Sequence, residues 1–247
     1  MRQWQEEQRE GSNSSCLPRL ALCHLESLVG LPAVNILFKD LGPQIDLVLI
    51  SSRFGGKHGG AVSQLVKGSR RWGLRLTLWL GLDIVLAQWA DRLDRASVFF
   101  GRRPRLRTVR ALAREYGALV VPTGDVNSSS IVDLIRSYSI DIVVVMNFDQ
   151  ILRNDVIRSP RAGVINVHPS FLPKFRGPTP VFWSLFMACE TAGVSIHLIN
   201  GPEIDAGPIL LREAIPIVMP ATVAGLTMTL LARGAGLVSR AIDRMSE

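Results

Sequence analysis

Positions 140–146 read Ile-Asp-Ile-Val-Val-Val-Met, a run with no polar residue after Asp141. Side chains along a strand alternate between its two faces, so this segment is apolar on both and must be covered on both. That requirement points to an inner strand of a parallel sheet flanked by helices, and the rest of the chain supplies the parts. Leu20–Cys23 and Asp46–Ile50 read as short strands on either side of a helix over Pro32–Lys39 that opens with proline. Thr108–Tyr116 is helical and Ala118–Val121 extended, and Ser128, Ser129 and Ser130 cap a helix with Ile131, Leu134, Ile135 and Tyr138 on one face. Gly163–Val167 is a strand, Pro180–Ala188 a helix, Gly193–Leu198 and Ile209–Ile217 strands, and Thr222–Met245 a closing helix weakened by Gly225, Gly234 and Gly236. The fold class is α/β, with a Rossmann-like parallel sheet.

Two segments fall outside this alternation. Residues 1–16 are polar and offer too little apolar area to offset the entropy of ordering, so they read as a disordered tail before a domain spanning 17–247. The tail carries Glu6, Glu7 and Glu10 and has no apolar stretch of the secretory kind. No uncharged apolar run reaches the roughly 20 residues of a spanning helix, and a cytoplasmic protein is expected. Cys16, Cys23 and Cys189 are an odd count without Cys-x-x-Cys spacing, which speaks against a disulfide framework or a zinc finger.

The second segment, about 57–101, is a basic, Trp-containing helical insertion. The chain carries a net charge of +7, yet Arg53–Arg114 alone holds 14 lysines and arginines against Asp83, Asp91 and Asp94. Such a patch suits nucleic acid, an anionic membrane surface or a phosphorylated substrate, or is a solvated basic face. Within it, Gly73–Leu93 is apolar around most of a helix, with Trp72, Trp79 and Trp89 beside arginines. This pattern fits a buried helix or the seam of a homodimer, with peripheral membrane contact as the lesser reading. No aromatic residues interleave with the arginines as a single-strand stacking groove requires.

The chemistry-bearing residues cluster further on. Asn166 and His168 are two apart at the end of a predicted strand and therefore share a face. A proline-stiffened loop, Pro169–Pro180, follows, and Glu203-Ile204-Asp205-Ala206-Gly207-Pro208 sets a carboxylate in a turn after the strand bearing His197. His168, His197 and Asp205 lack the local spacing of a two-His-one-carboxylate metal site, so no metal is expected. G-x-G-x-x-G and Walker A patterns are missing, which speaks against NAD or ATP.

The stretch NVHPSFLPKFRGPTPVFWSL, followed by GVSIHL and EIDAGPIL, resembles the folate-dependent formyltransferases. The likeness runs from about Ile140 to Ile217, extends toward Arg105 and over Leu17–Arg53, and skips the insertion. It implies a catalytic set of Asn166, His168 and Asp205, and 10-formyltetrahydrofolate as formyl-donating cosubstrate. Met146–Leu152 is similar to the loop that receives the pterin ring, so Phe148, Asp149, Gln150, Ile151 and Leu152, with Ile204, are the implied donor-binding residues. His197, Ser170 and Gly177 would support the site, as would Pro173 and Trp183. Three features depart from the family pattern. The His197–Asp205 loop is a residue longer and contains Pro202, Asp149 brings a carboxylate into the donor loop, and the first strand lacks a glycine-rich fingerprint.

In the implied reaction a primary amine attacks the formyl carbon. Asn166 and a cationic His168 stabilise the oxyanion, and Asp205 raises the pKa of His168 and takes a proton through a water. The expected acceptor is a small-molecule amine such as an amino sugar. Initiator tRNA is disfavoured because the chain runs only some 40 residues past Asp205. A formyltetrahydrofolate hydrolase and a catalytically silent tRNA- or membrane-binding module of the same fold are the alternatives.

Overall fold

The computed structural model of the protein describes residues 17–52 and 107–245, with the helical positions 78, 81–83, 85–87, 89, 90, 92 and 93 between them. The expected tail and most of the expected insertion lie outside the described residues. The chain opens with β1 (Leu20–His24), α1 (Leu31–Leu41), a 3-10 turn (Gly42–Gln44) and β2 (Ile45–Ser51). It continues through α2 (Val109–Tyr116), β3 (Leu119–Thr123), α3 (Ser129–Ser137), β4 (Ile142–Met146) and α4 (Asn154–Ile157). It closes with β5 (Gly163–His168), α5 (Pro180–Phe186), β6 (Thr191–Leu198), β7 (Ile209–Pro216) and α6 (Val223–Asp243).

The strands form one seven-stranded sheet in the order β3-β2-β1-β4-β5-β6-β7. The first five are mutually parallel, while β6 runs antiparallel to β5 and to β7. The sheet is therefore mixed, not parallel throughout. The β6–β7 connection is too short for the helical crossover that a parallel pair needs, so the chain turns back as a hairpin.

Period-two alternation divides the core into two layers. Leu20, Leu22, Ile142, Val144 and Met146 face α1, α2 and α6, while Ala21, Cys23, Val143 and Val145 face α3 and α4. Each fully buried aliphatic side chain contributes about 1.5–3 kcal/mol relative to exposure, so this double coverage is what fixes β4 at the centre. Thr108 accepts from the Ala111 N–H and Thr222 from the Gly225 N–H, which starts α2 and α6 cleanly. Ser128 stands at the N-cap of α3, but its hydroxyl pairs with that of Ser130 instead of capping the helix. Gly234 is a contact point and not merely a weak one. A Cβ there would lie 2.4 Å from Val167, so the bare backbone lets α6 settle onto β5.

Candidate active site

The five parallel strands bring their C-terminal ends to one edge of the sheet, where open α/β folds place their ligands. Asn166 and His168 project from the end of β5, and the antiparallel pairing sets Asn166 directly opposite His197 and His168 opposite Ser195. The hairpin after β6 returns Asp205 to the same spot. Leu198 N–H donates to Pro208 O across its base, and Gly207 passes so close to Leu198 O that a Cβ would sit 1.8 Å away. Asp205 itself takes a left-handed backbone with φ 49°, a conformation that Asp and Asn tolerate better than most residues.

Four side chains meet there. Asn166 Nδ2 donates to Asp205 Oδ1 at 3.0 Å and lies 3.1 Å from His197 Nε2. The second carboxylate oxygen accepts from Gly177 N–H at 2.9 Å and lies 3.5 Å from His168 Nδ1. His197 Nε2 is 3.4 Å from Asp205 Oδ1, and its Nδ1 donates to Leu198 O at 2.9 Å. With that tautomer, His197 Nε2 is an acceptor for Asn166, and both N–H groups of the amide are engaged. His168 Nε2 is 3.1 Å from Phe175 O, and the two imidazole rings stand edge to face at 6.4 Å between centroids. Both histidines are buried.

Electrostatics within the cluster are a contest between burial and pairing. Burial disfavours the cation of His168 and is the largest influence; Asp205 and the Phe175 carbonyl oppose it, His197 reinforces it, and the pKa ends below the ordinary imidazole value. Asp205 does raise the pKa of His168, as expected, but burial outweighs it and sets the net direction. For Asp205, burial alone would raise the pKa. The neighbouring His197 and His168 and the Gly177 N–H together outweigh it, and the net direction is down. These directions favour the anion of Asp205 and the neutral ring of His168.

The proline-rich loop is pinned from β6. Ser195 Oγ accepts from Leu172 N–H and donates to Ser170 O, Ser170 Oγ donates to Lys174 O, and Arg212 donates to Leu172 O while lying 4.5 Å over the Phe171 ring. Ser195 was not among the residues singled out from sequence, although a serine two before His197, and so on the same face of the strand, is a readable signal. Pro173 and Trp183 belong to this loop and to α5, and Trp183 packs edge to face on Phe182 and Phe186.

The six implied donor-binding residues divide. Gln150 is a clamp: its Oε1 accepts from Val126 N–H at 2.8 Å, and its Nε2 donates to Ser51 Oγ at 2.9 Å and to Thr123 O at 3.1 Å. Leu152 is buried and Phe148 is packed on the same layer. Asn127 donates to Ile151 O and accepts from Arg153 N–H, which fixes the loop backbone. Asp149, Ile151 and Ile204 remain exposed toward solvent. Among the described residues no group of His, Cys, Asp and Glu is arranged to hold a metal ion.

A doubly covered α/β sheet with an amide, two imidazoles and a carboxylate gathered at its C-terminal edge is a Rossmann-like architecture with a polar site where open α/β folds bind their ligands. Residues 107–242, more than half of the chain, match the family described as Formyl transferase, and the chain belongs to that family. Among curated relatives, the methionyl-tRNA formyltransferase of Roseiflexus castenholzii is 33% identical over 143 residues, covering 58% of this chain and 45% of its own. The chain thus spans less than half the length of that relative. Solved structures share the fold. Glycinamide ribonucleotide transformylase 1 of Symbiobacterium toebii aligns at TM-score 0.58 and 18% identity, over 91% of this chain and 85% of its own. The N-formyltransferase of Helicobacter canadensis, in complex with folinic acid and dTDP-3-aminofucose, aligns at TM-score 0.53 and 15% identity, over 93% and 65%.

Proposed function

We propose that residues 17–247 form a formyltransferase domain that moves the formyl group of 10-formyltetrahydrofolate to the primary amine of a small acceptor. The observation that carries this reading is the convergence of Asn166, His168, His197 and Asp205 within hydrogen-bonding range at the sheet edge. The amine attacks the formyl carbon and the carbonyl oxygen becomes anionic. Asn166 turns one of its two N–H groups from its resting partners to that oxygen, a donor of the kind whose loss typically costs about 3 kcal/mol. The neutral His168 takes the proton released by the amine, with the Asp205 carboxylate stabilising the imidazolium, and returns it to N10 as the carbon–nitrogen bond breaks. This order replaces the expectation of a resting imidazolium. The donor is held against the backbone of Phe148–Leu152, with Ile151 and Ile204 as apolar rims and Gln150 holding the loop from behind.

Two kinds of acceptor have support. The likeness to an N-formyltransferase bound to a dTDP-aminosugar favours an amino sugar, whereas the curated relatives act on methionyl-tRNA and keep tRNA as a second reading. Radiolabelled 10-formyltetrahydrofolate, incubated with nucleotide-linked amino sugars, glycinamide ribonucleotide and methionylated initiator tRNA, tests the function and separates the acceptors. Transfer to an amino sugar, lost on Asn166→Ala, His168→Ala and Asp205→Ala, is the expected result. Label passing only to water would convert the reading to a hydrolase, and donor turnover that survives any two of the substitutions would overturn the assignment of these residues.

A further inference from the structure

Between positions 78 and 93 the described residues are helical, and Leu78, Leu82, Val85, Leu86, Trp89 and Leu93 follow the spacing of one helix face. All six are exposed, from 43% at Val85 to 67% at Leu93. The opposite face holds the helix to the body: Asp83 and Ala87, four apart, are buried at 9% and 1%, and Asp83 Oδ1 accepts the Leu28 N–H at 3.2 Å in the turn that enters α1. This anchor fixes the apolar face outward. Arg92 lies 4.7 Å over the Trp89 ring, so the stripe carries a cation beside its indole.

A stripe of this size on one helix marks a contact surface. Its occupant must also satisfy charge, because residues 53–106 carry eleven lysines and arginines against three aspartates. A second copy of the chain would set this excess against itself. Nucleic acid would neutralise the charge but leave the leucines in water. We propose that this helix seats the protein on an anionic lipid bilayer, its leucines and Trp89 in the headgroup–acyl boundary and Arg92 at the level of the lipid phosphates. This inference is independent of the formyl-transfer reading.

Co-sedimentation of the full chain with phosphatidylcholine–phosphatidylglycerol vesicles at low salt tests it, with pure phosphatidylcholine vesicles as the comparison. Binding is expected to the anionic vesicles, weakening with added salt and falling at least about tenfold in Leu82→Glu/Leu86→Glu. Trp89→Ala is expected to weaken it as well, with the circular-dichroism spectrum of both variants unchanged. No binding to anionic vesicles overturns the proposal, as does binding that the double substitution leaves intact. A concentration-dependent dimer that the double substitution abolishes, in a protein that ignores vesicles, assigns the face to self-association instead.

Discussion

Asp205→Asn is the perturbation that isolates the charge of the site from its shape. Asparagine is isosteric with aspartate and tolerates the φ of 49° at this position, so the turn is retained. In the native cluster the carboxylate accepts from Gly177 N–H at 2.9 Å and Asn166 Nδ2 at 3.0 Å. An amide accepts one of these and turns its own NH2 toward the other donor. Hydrogen bonds to a charged partner contribute about 1.5–3 kcal/mol each, and relief of the buried charge offsets much of the loss, which leaves a stability cost of about 1–2 kcal/mol. For the reaction, the variant removes the anion that stabilises a protonated His168, and formyl transfer should fall about a thousandfold, or some 4 kcal/mol in barrier. The assay is single-turnover transfer from labelled donor, beside thermal unfolding. A pH signature accompanies it. The native pKa of Asp205 is depressed, so its contribution to stability is present above about pH 4 and is lost as pH falls through its native value. Asp205→Asn lacks that component. Transfer within tenfold of wild type in a folded Asp205→Asn protein would refute the role assigned to the charge.

His24 offers a second pH test: it is buried, donates from Nδ1 to Met146 O at 2.8 Å, and burial lowers its pKa to about 4. Since the unfolded chain binds the proton near pH 6.5, this group's stabilisation is complete above that value, and about 2 kcal/mol is lost by pH 5; denaturant titrations of wild type and His24→Gln should differ in pH slope, and equal slopes would defeat the argument. Gly207→Ala should destabilise by about 3 kcal/mol or more, because its Cβ would meet Leu198 O, whereas Gly201→Ala, with open space around it, should stay within about 0.5 kcal/mol. Comparable melting temperatures for the two variants would show that the hairpin base is looser than described. Gln150→Ala cuts three hydrogen bonds behind the proposed donor loop and should cost about 2 kcal/mol, raising the KM for donor about tenfold with kcat unchanged. A drop in kcat alone would place Gln150 nearer the reacting atoms.

The order of elements was legible because the sheet is apolar on both faces. The valines of β4, the apolar Leu20–Cys23 run of β1 and the β-branched residues of β2 and β5 announce buried strands whatever their partners, and the Thr108 and Thr222 caps announce helix starts within a residue. Strand direction was not legible. Parallel and antiparallel inner strands have the same apolar pattern, so neither the reversal of β6 against β5, across a connection long enough to carry α5, nor the hairpin from β6 to β7 could be told from a parallel arrangement. The four-residue α4 is too short to show a helical period. The glycine at 234 read as a helix weakness because the gain from it, close approach to Val167, exists only between elements distant in sequence.

At the site, Asn166, His168 and Asp205 could be named because each stands beside a strand end or a Gly/Pro turn. Their electrostatics could not, because desolvation sums over every element packed around a ring, whereas a sequence shows only the charges a motif contains. Asp205 was visible as a carboxylate that lifts the pKa of a histidine; the packing that reverses the outcome was not. The reversal bears on chemistry. A histidine held cationic at rest can only donate, while one held neutral beside an anionic carboxylate can accept the amine's proton and give it back to the leaving nitrogen. His197 completes that arrangement from the neighbouring strand. Its Nε2 accepts from Asn166 Nδ2 while Asp205 Oδ1 accepts from the same amide, so in the proposed mechanism an N–H turned toward a substrate oxygen gives up one of these two resting contacts.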